Sequence, residues 1–400
     1  MINQHQLRRM RQALAQGHEL SSVLTAQSDV FGMSALDTLH ETLQSDIAGA
    51  GTILNPLLHD PSVTDVLING TEIWVDRGSG LHRHSVDLST DPRALAVRLT
   101  ALCGKRLDDA SPIADGILPQ GTRMHAVLET LSSNGPLICL RTSRPQTWSL
   151  AALNTCGTIP DALLPMIRGL VQGRANGLLS GATGSGKTTM LGALLAEVPV
   201  TERIMCIEEI PELKPNHPHV VHLHERDANI QFQGAISMSD LVRAAMRMRP
   251  DRIILGECRG SEIRDVLAAM NTGHDGGWAT IHANSAYDVP ARLQALGALS
   301  GLSDHALTAQ ASSAIDVVVH MDKVRTHEGQ QQREISSIGL LVRHHQELAV
   351  IPACTVHWSQ GSSDVLPQEG WDDLCGLAEV NDEQRFDAVC FDAPYGQATS

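Results

Sequence analysis

The sequence predicts an α/β protein in which a parallel sheet carries helices on both faces, preceded by a smaller α+β domain and a helical N-terminal segment. Three observations carry this. A glycine-rich turn at 181–189 lies between an apolar strand and an apolar-periodic helix, strands and helices alternate over 203–282, and short strands punctuated by turn residues fill 55–142.

Residues 1–50 place Leu7, Met10 and Leu14, then Leu36, Leu39 and Leu43, at helical spacing, and read as helices with a polar break near Ser28. From Asn55 the texture changes. Asp60-Pro61 opens a turn, Val66 to Ile68 and Ile73 to Asp76 flank Asn69-Gly70 as a hairpin, and Gly78 to Gly80 turns again. Thr90-Asp91-Pro92 caps a helix to about Cys103 with Leu95, Leu99 and Leu102 on one face, and strands follow at 123–128 and 136–142. This makes an α+β domain of 51–142. Residues 143–160, polar with two prolines and a glycine, read as a linker. A second domain over 161–345 begins with a helix at 161–173, then alternates strands (203–208, 220–223, 252–256, 278–282) with helices (239–249, 261–272). Beyond Leu302 a helix and strands at 315–321, 335–342 and 348–356 suggest an antiparallel extension. The segment 346–400 reads as a strand and an acidic tail; its last forty residues hold nine acids and one arginine and are expected to be poorly ordered.

The 400 residues carry 45 acids against 30 bases, a net charge of −15, so the chain as a whole has no electrostatic case for wrapping nucleic acid or lying on an anionic bilayer. Eight cysteines without a C-x-x-C pair fit reduced thiols in a cytosolic protein. No run of 18 apolar residues and no N-terminal apolar core is present, so a membrane role is expected to pass through a partner.

Residues Gly181, Ala182, Thr183, Gly184, Ser185, Gly186, Lys187, Thr188 and Thr189 contain the phosphate-loop pattern G-x-x-x-x-G-K-[ST]. Glycines let several backbone N–H groups converge on one phosphate, and the following helix presents its positive end. Lys187 reaches the outer phosphates, and the Thr188 hydroxyl suits Mg²⁺. ATP with Mg²⁺ is the expected ligand pair. The apolar strand Arg252 to Gly256 ends in Glu257, where phosphate-loop enzymes place the carboxylate that orients Mg²⁺ and its waters. Glu208 and Glu209 follow another apolar strand. His217, His219, His222 and His224 alternate on a strand and offer a weak metal reading; no carboxylate or cysteine completes a set. Arg243, Arg247 and Arg249 read as a solvated or intersubunit helix face rather than a nucleic-acid contact.

Four motifs then stand in order: G-A-T-G-S-G-K-T-T, I-E-E-I-P-E-L from Ile207, M-R-P-D-R-I-I-L-G-E-C-R-G from Met248, and T-G-H-D-G-G-W-A-T-I-H-A-N-S from Thr272. This resembles the type II/type IV secretion ATPase superfamily over about residues 50–345, and most the Tad (tight adherence, Flp) pilus assembly ATPases. The four-cysteine zinc module of many type II relatives is missing, which points toward the Tad or conjugation branches.

The resemblance implies a RecA-like P-loop NTPase domain with an N-terminal PAS-like α+β domain. It implies a homohexameric cytoplasmic motor recruited to the inner face of the membrane by a polytopic platform protein. It also implies residue roles: Glu208 activates the attacking water, an assignment exchangeable with Glu257; His282, with His274, links nucleotide state to domain position; Arg123 and Arg141 reach a nucleotide held elsewhere. Glu209 departs from the family's aspartate, and Thr142 from its second basic residue. The rival readings are a conjugative ATPase for DNA or protein export, a nucleotide-gated scaffold with negligible hydrolysis, and a DNA-stimulated translocase.

Overall fold

The structure is a computed structural model and describes residues 50–379 apart from 89, 143–146, 227, 229–232, 326–330 and 360–361. The helical reading of residues 1–49 and the last stretch, 380–400, lie outside the described residues. The chain divides into two compact units at 144/145.

The first unit holds helix α1 (Leu54–His59) and strands β1 (Asp65–Asn69), β2 (Glu72–Asp76) and β3 (Leu81–Arg83). Helix α2 (Pro92–Leu102) and strands β4 (Ile113–Ile117), β5 (Arg123–Val127) and β6 (Leu137–Arg141) complete it. The strands form one antiparallel sheet in the order β3-β2-β1-β6-β5-β4. Alternation explains its buried face: Val66 and Ile68 on β1 meet Val75 and Ile73 on β2, and all four are buried. The Asp91 carboxylate accepts from Ala94 N–H to start α2, whose Leu95, Ala96 and Leu99 are buried in the same core.

The second unit opens with α3 (Leu150–Thr155) and α4 (Leu164–Gln172). Next come β7 (Gly177–Gly181), α5 (Lys187–Leu195), β8 (Ile204–Glu208), β9 (Val220–His224), α6 (Met238–Ala245), β10 (Arg252–Cys258), α7 (Ile263–Met270) and β11 (Trp278–Ile281). Helices α8 (Val289–Leu299) and α9 (Asp304–Ala314) lead to β12 (Val317–Arg325), β13 (Gln331–His344), β14 (Glu347–Ser359), β15 (Ser362–Pro367) and α10 (Trp371–Leu377). One sheet runs β15-β14-β13-β12-β7-β11-β10-β8-β9, parallel from β12 to β9 and antiparallel from β12 to β15. Alternate residues feed two cores. Leu179, Cys206 and Ile254 pack on the face covered by α4 and α5, while Leu178, Met205 and Ile253 pack under α6 and α7.

Two readings of the sequence are corrected. The segment expected to be a linker contains α3, capped by the Ser149 hydroxyl, and buries Leu150, Leu153 and Ile159 in the core under α4 and α5. The leucine pair at helical spacing outweighs the polar residues around it. The tail expected to be poorly ordered forms β15 and α10 as far as it is described, with Val365, Leu374, Cys375 and Ala378 buried. Its Asp372 and Asp373 fall in the first turn of α10, where negative charge suits the helix N-terminus and leaves the apolar residues to pack. Among the described residues no helix is long and apolar enough to cross a membrane.

Candidate nucleotide site

Parallel pairing aligns the C-terminal ends of β7, β11, β10 and β8, so Gly181, His282, Glu257 and Glu208 arrive at one edge of the sheet. Open α/β sheets place ligands at this edge. The phosphate loop leaves β7 there and turns into α5. Gly186 stands at its helix entry with φ 97°, a left-handed conformation disfavoured for other residues, and a Cβ there would lie 3.0 Å from Arg333 Cδ. A Cβ on Gly181 would stand 2.3 Å from the Met321 carbonyl oxygen, so β12 forms the wall of the loop. The Ser185 hydroxyl is buried with no hydrogen-bond partner among the described residues. Such an orphaned donor within a phosphate-loop sequence fits an anion with oxygens to share.

Lys187 is buried, and its ammonium donates to the Gly181 and Ala182 carbonyls at 2.8 and 2.9 Å. Burial lowers its pKa, and the nearby Glu257 partly counters this. The ammonium also lies 3.4 Å from His282 Nδ1, while His282 Nε2 lies 2.9 Å from the Glu257 carboxylate. Burial, followed by the charge of Lys187, lowers the His282 pKa, which favours the neutral imidazole. One tautomer then serves both neighbours: Nδ1 accepts from Lys187, and Nε2–H faces Glu257.

Burial acts to raise the Glu257 pKa, but the hydrogen bond and charge of Arg259 outweigh it, with His282 and Lys187 adding to the decrease. Arg259 forks this carboxylate at 2.7 and 2.8 Å and reaches Glu209 with its other nitrogen. The turn carrying Arg259 is itself held by buried Glu262, which accepts from the backbone N–H groups of Arg259 and Gly260.

Glu208, 3% exposed, is differently engaged. One oxygen accepts from the Glu212 and Leu213 N–H groups at 2.9 Å each, and the other lies 3.4 Å from His222 Nδ1. Its carboxylate shapes the loop after β8. Glu257 faces Lys187 and His282 instead. His274 precedes β11 and lies within 3.2 Å of the Ala269 carbonyl through Nδ1, so the length of β11 separates it from His282. Thr188 is half-buried in the first turn of α5, and Ala182, Thr183 and Thr189 are exposed. The Thr188 hydroxyl and the Glu257 carboxylate are hard oxygen donors of the kind that suit Mg²⁺.

Arg123 and Arg141 belong to the first unit, where they are directly paired across β5 and β6, and Asp65 continues the row on β1. The Arg141 guanidinium bonds Asp65 at 2.8 Å. His217, His219 and His222 lie respectively near the Pro199 carbonyl, Arg203 and Glu208, and no cluster fit to hold a metal is found among the described residues.

Sequence reasoning assigned no role to Arg259, Lys323 or Arg333. For Arg259 a signal existed: it follows Glu257 by two residues, the spacing that returns side chains to one face of a strand. Arg333 is 149 residues from the loop it touches and had no local signal.

A glycine cradle, its buried lysine and the strand-end carboxylate define an ATP-hydrolysing enzyme of the phosphate-loop class. The profile of the family described as type II/IV secretion system protein matches residues 50–365. A putative conjugal transfer protein of Mycobacterium tuberculosis is 43% identical over 80% of this chain and 92% of its own. The type IV secretion system protein PtlH of Bordetella pertussis is 32% identical over 70% and 91%. The chain belongs to the type II/IV secretion system ATPase family. The Legionella pneumophila ATPase DotB shares the fold, with a TM-score of 0.53 at 20% identity over 73% of this chain and 80% of that one.

Proposed function

We propose that the chain is the motor of a homohexameric ring that converts ATP hydrolysis into assembly or secretion of pilus subunits through a polytopic inner-membrane platform protein. The observation that carries the chemistry is the Lys187–His282–Glu257 chain at the mouth of the phosphate loop. The loop amides and Lys187 bind the β- and γ-phosphates, with the Lys187 ammonium exchanging its two carbonyl partners for phosphate oxygens. Thr188 and Glu257 would hold Mg²⁺, which when bound neutralises charge on those oxygens. The oxygen of a water bonds to the γ-phosphorus while the bond to the β–γ bridging oxygen breaks, and the water's proton passes to a carboxylate. Glu257 is the acid facing that side, with Glu208 shaping the loop beside it.

Arg123 and Arg141 are proposed to neutralise the transferred phosphoryl group of a nucleotide held by a motor domain. Inserted arginines contribute about 10³–10⁵ in rate in related chemistry. Phosphate release measured for wild type and Lys187→Ala, with and without single-stranded DNA, tests the reading, together with solution mass with and without ATP. Release above the mutant, insensitive to DNA, from a six-subunit species is expected. Release no greater than that of Lys187→Ala defeats it. The name of the mycobacterial relative supports a second reading, in which the same engine serves conjugative export.

A further inference from the structure

Strands β12 and β13 continue past the sheet beside the phosphate loop, and two of their cations lie against it. Arg333 is exposed, yet its Nε donates to the Gly184 carbonyl at 3.0 Å. Its aliphatic arm lies over Gly186, where an added Cβ would be 3.0 Å from Cδ. Lys323, opposite Arg333 in the ribbon, brings Nζ to 3.8 Å from the position of a Cβ on Gly184. One arginine therefore touches two of the loop's three positive-φ glycines, Gly184 at φ 78° and Gly186 at φ 97°, the third being Gly181 at φ 149°.

The peptide plane converts this contact into an orientation. In a trans peptide the carbonyl and the following N–H point in opposite directions. Fixing the Gly184 carbonyl on Arg333 turns the Ser185 N–H into the loop, where it meets the Ala182 carbonyl at a long 3.3 Å. A phosphate oxygen there is a better acceptor.

We infer that Arg333 is a positioning residue for the phosphate loop, holding the 184–185 peptide with its N–H turned inward, and that Lys323 adds positive charge at the same rim. The inference rests on the nucleotide-site reading above and extends it to a ribbon outside the four sequence motifs. Loss of Arg333 loosens the loop before nucleotide arrives, so the cost falls on binding rather than on turnover at saturation.

Titration of the full-length protein with a fluorescent ADP analogue in Mg²⁺ tests this. Arg333→Ala is expected to weaken binding about tenfold, the range for losing a hydrogen bond to a charged group. Its nucleotide-free melting midpoint and its kcat at saturating ATP are expected to stay close to wild type. Arg333→Lys, which keeps a charged donor, is expected to recover most of the affinity, and Lys323→Ala to lose about threefold. Binding by Arg333→Ala within twofold of wild type, or a lysine variant as weak as the alanine variant, overturns the inference. Should Arg333→Ala fail to fold, Lys323→Ala decides: a threefold loss upholds it and unchanged affinity overturns it. Absence of binding by wild type sinks the underlying nucleotide-site reading, a result distinct from unchanged binding by the variant.

Discussion

Glu334 offers a perturbation whose size and sign follow from its surroundings. It is 8% exposed on β13, directly opposite Asp322 on β12, and Asp322 in turn lies 3.5 Å from the buried His320. Burial, then repulsion from Asp322, raises the Glu334 pKa from the ordinary 4.5 to about 7. The folded state therefore holds a proton that the unfolded chain releases. The stabilisation is complete below about pH 4.5, declines as pH rises through 7, and is absent above. The gap corresponds to at most about 3 kcal/mol. Water reaching the half-exposed Asp322 screens the repulsion, and about 1–2 kcal/mol is the working figure.

Glu334→Gln, isosteric and uncharged, is expected to match wild type near pH 5 and to be more stable by about 1–2 kcal/mol at pH 8.5. In thermal melts this amounts to a few degrees, about 2–4 °C per kcal/mol for a domain of this size. The comparison is the difference between variants at each pH, which cancels His320 and other common titrations. An equal difference at pH 5 and pH 8.5 refutes the assignment of the proton to Glu334.

Glu257→Gln keeps the shape of the site and removes its charge, so kcat for ATP is expected to fall about 10²–10³-fold while ADP affinity measured without Mg²⁺ changes little. Retained turnover moves the proton-accepting role to Glu208. Gly177→Ala places a Cβ 2.4 Å from the ring of buried Trp278, and urea denaturation is expected to show a loss of about 1–3 kcal/mol. An unchanged midpoint shows that the ring moves aside freely.

Much of this molecule was legible because its signals are local. Leu178 and Leu179 before Gly181, and Met190, Leu191 and Leu194 after Lys187, announced strand, loop and helix within one short stretch, and all five are buried. The hairpin at Gly70 and the cap at Asp91 were equally local. Composition misled where a few apolar residues lay among many polar ones. Leu150 and Leu153, and then Leu374 and Cys375, gain their burial only from the sheet and helices they pack on.

The site divides along the same line. The chain's sequence by itself determined the phosphate loop, its lysine and the strand-end acids, since each is an arrangement of neighbours in the chain. Tertiary structure alone decided that Glu257 rather than Glu208 faces Lys187, that His282 and not His274 joins them, and that Arg259 and Arg333 border the site. The reason is physical: strand direction and register, set by hydrogen bonds between distant segments, determine which strand ends share an edge. A side chain's partners across that edge are not encoded near it in the chain.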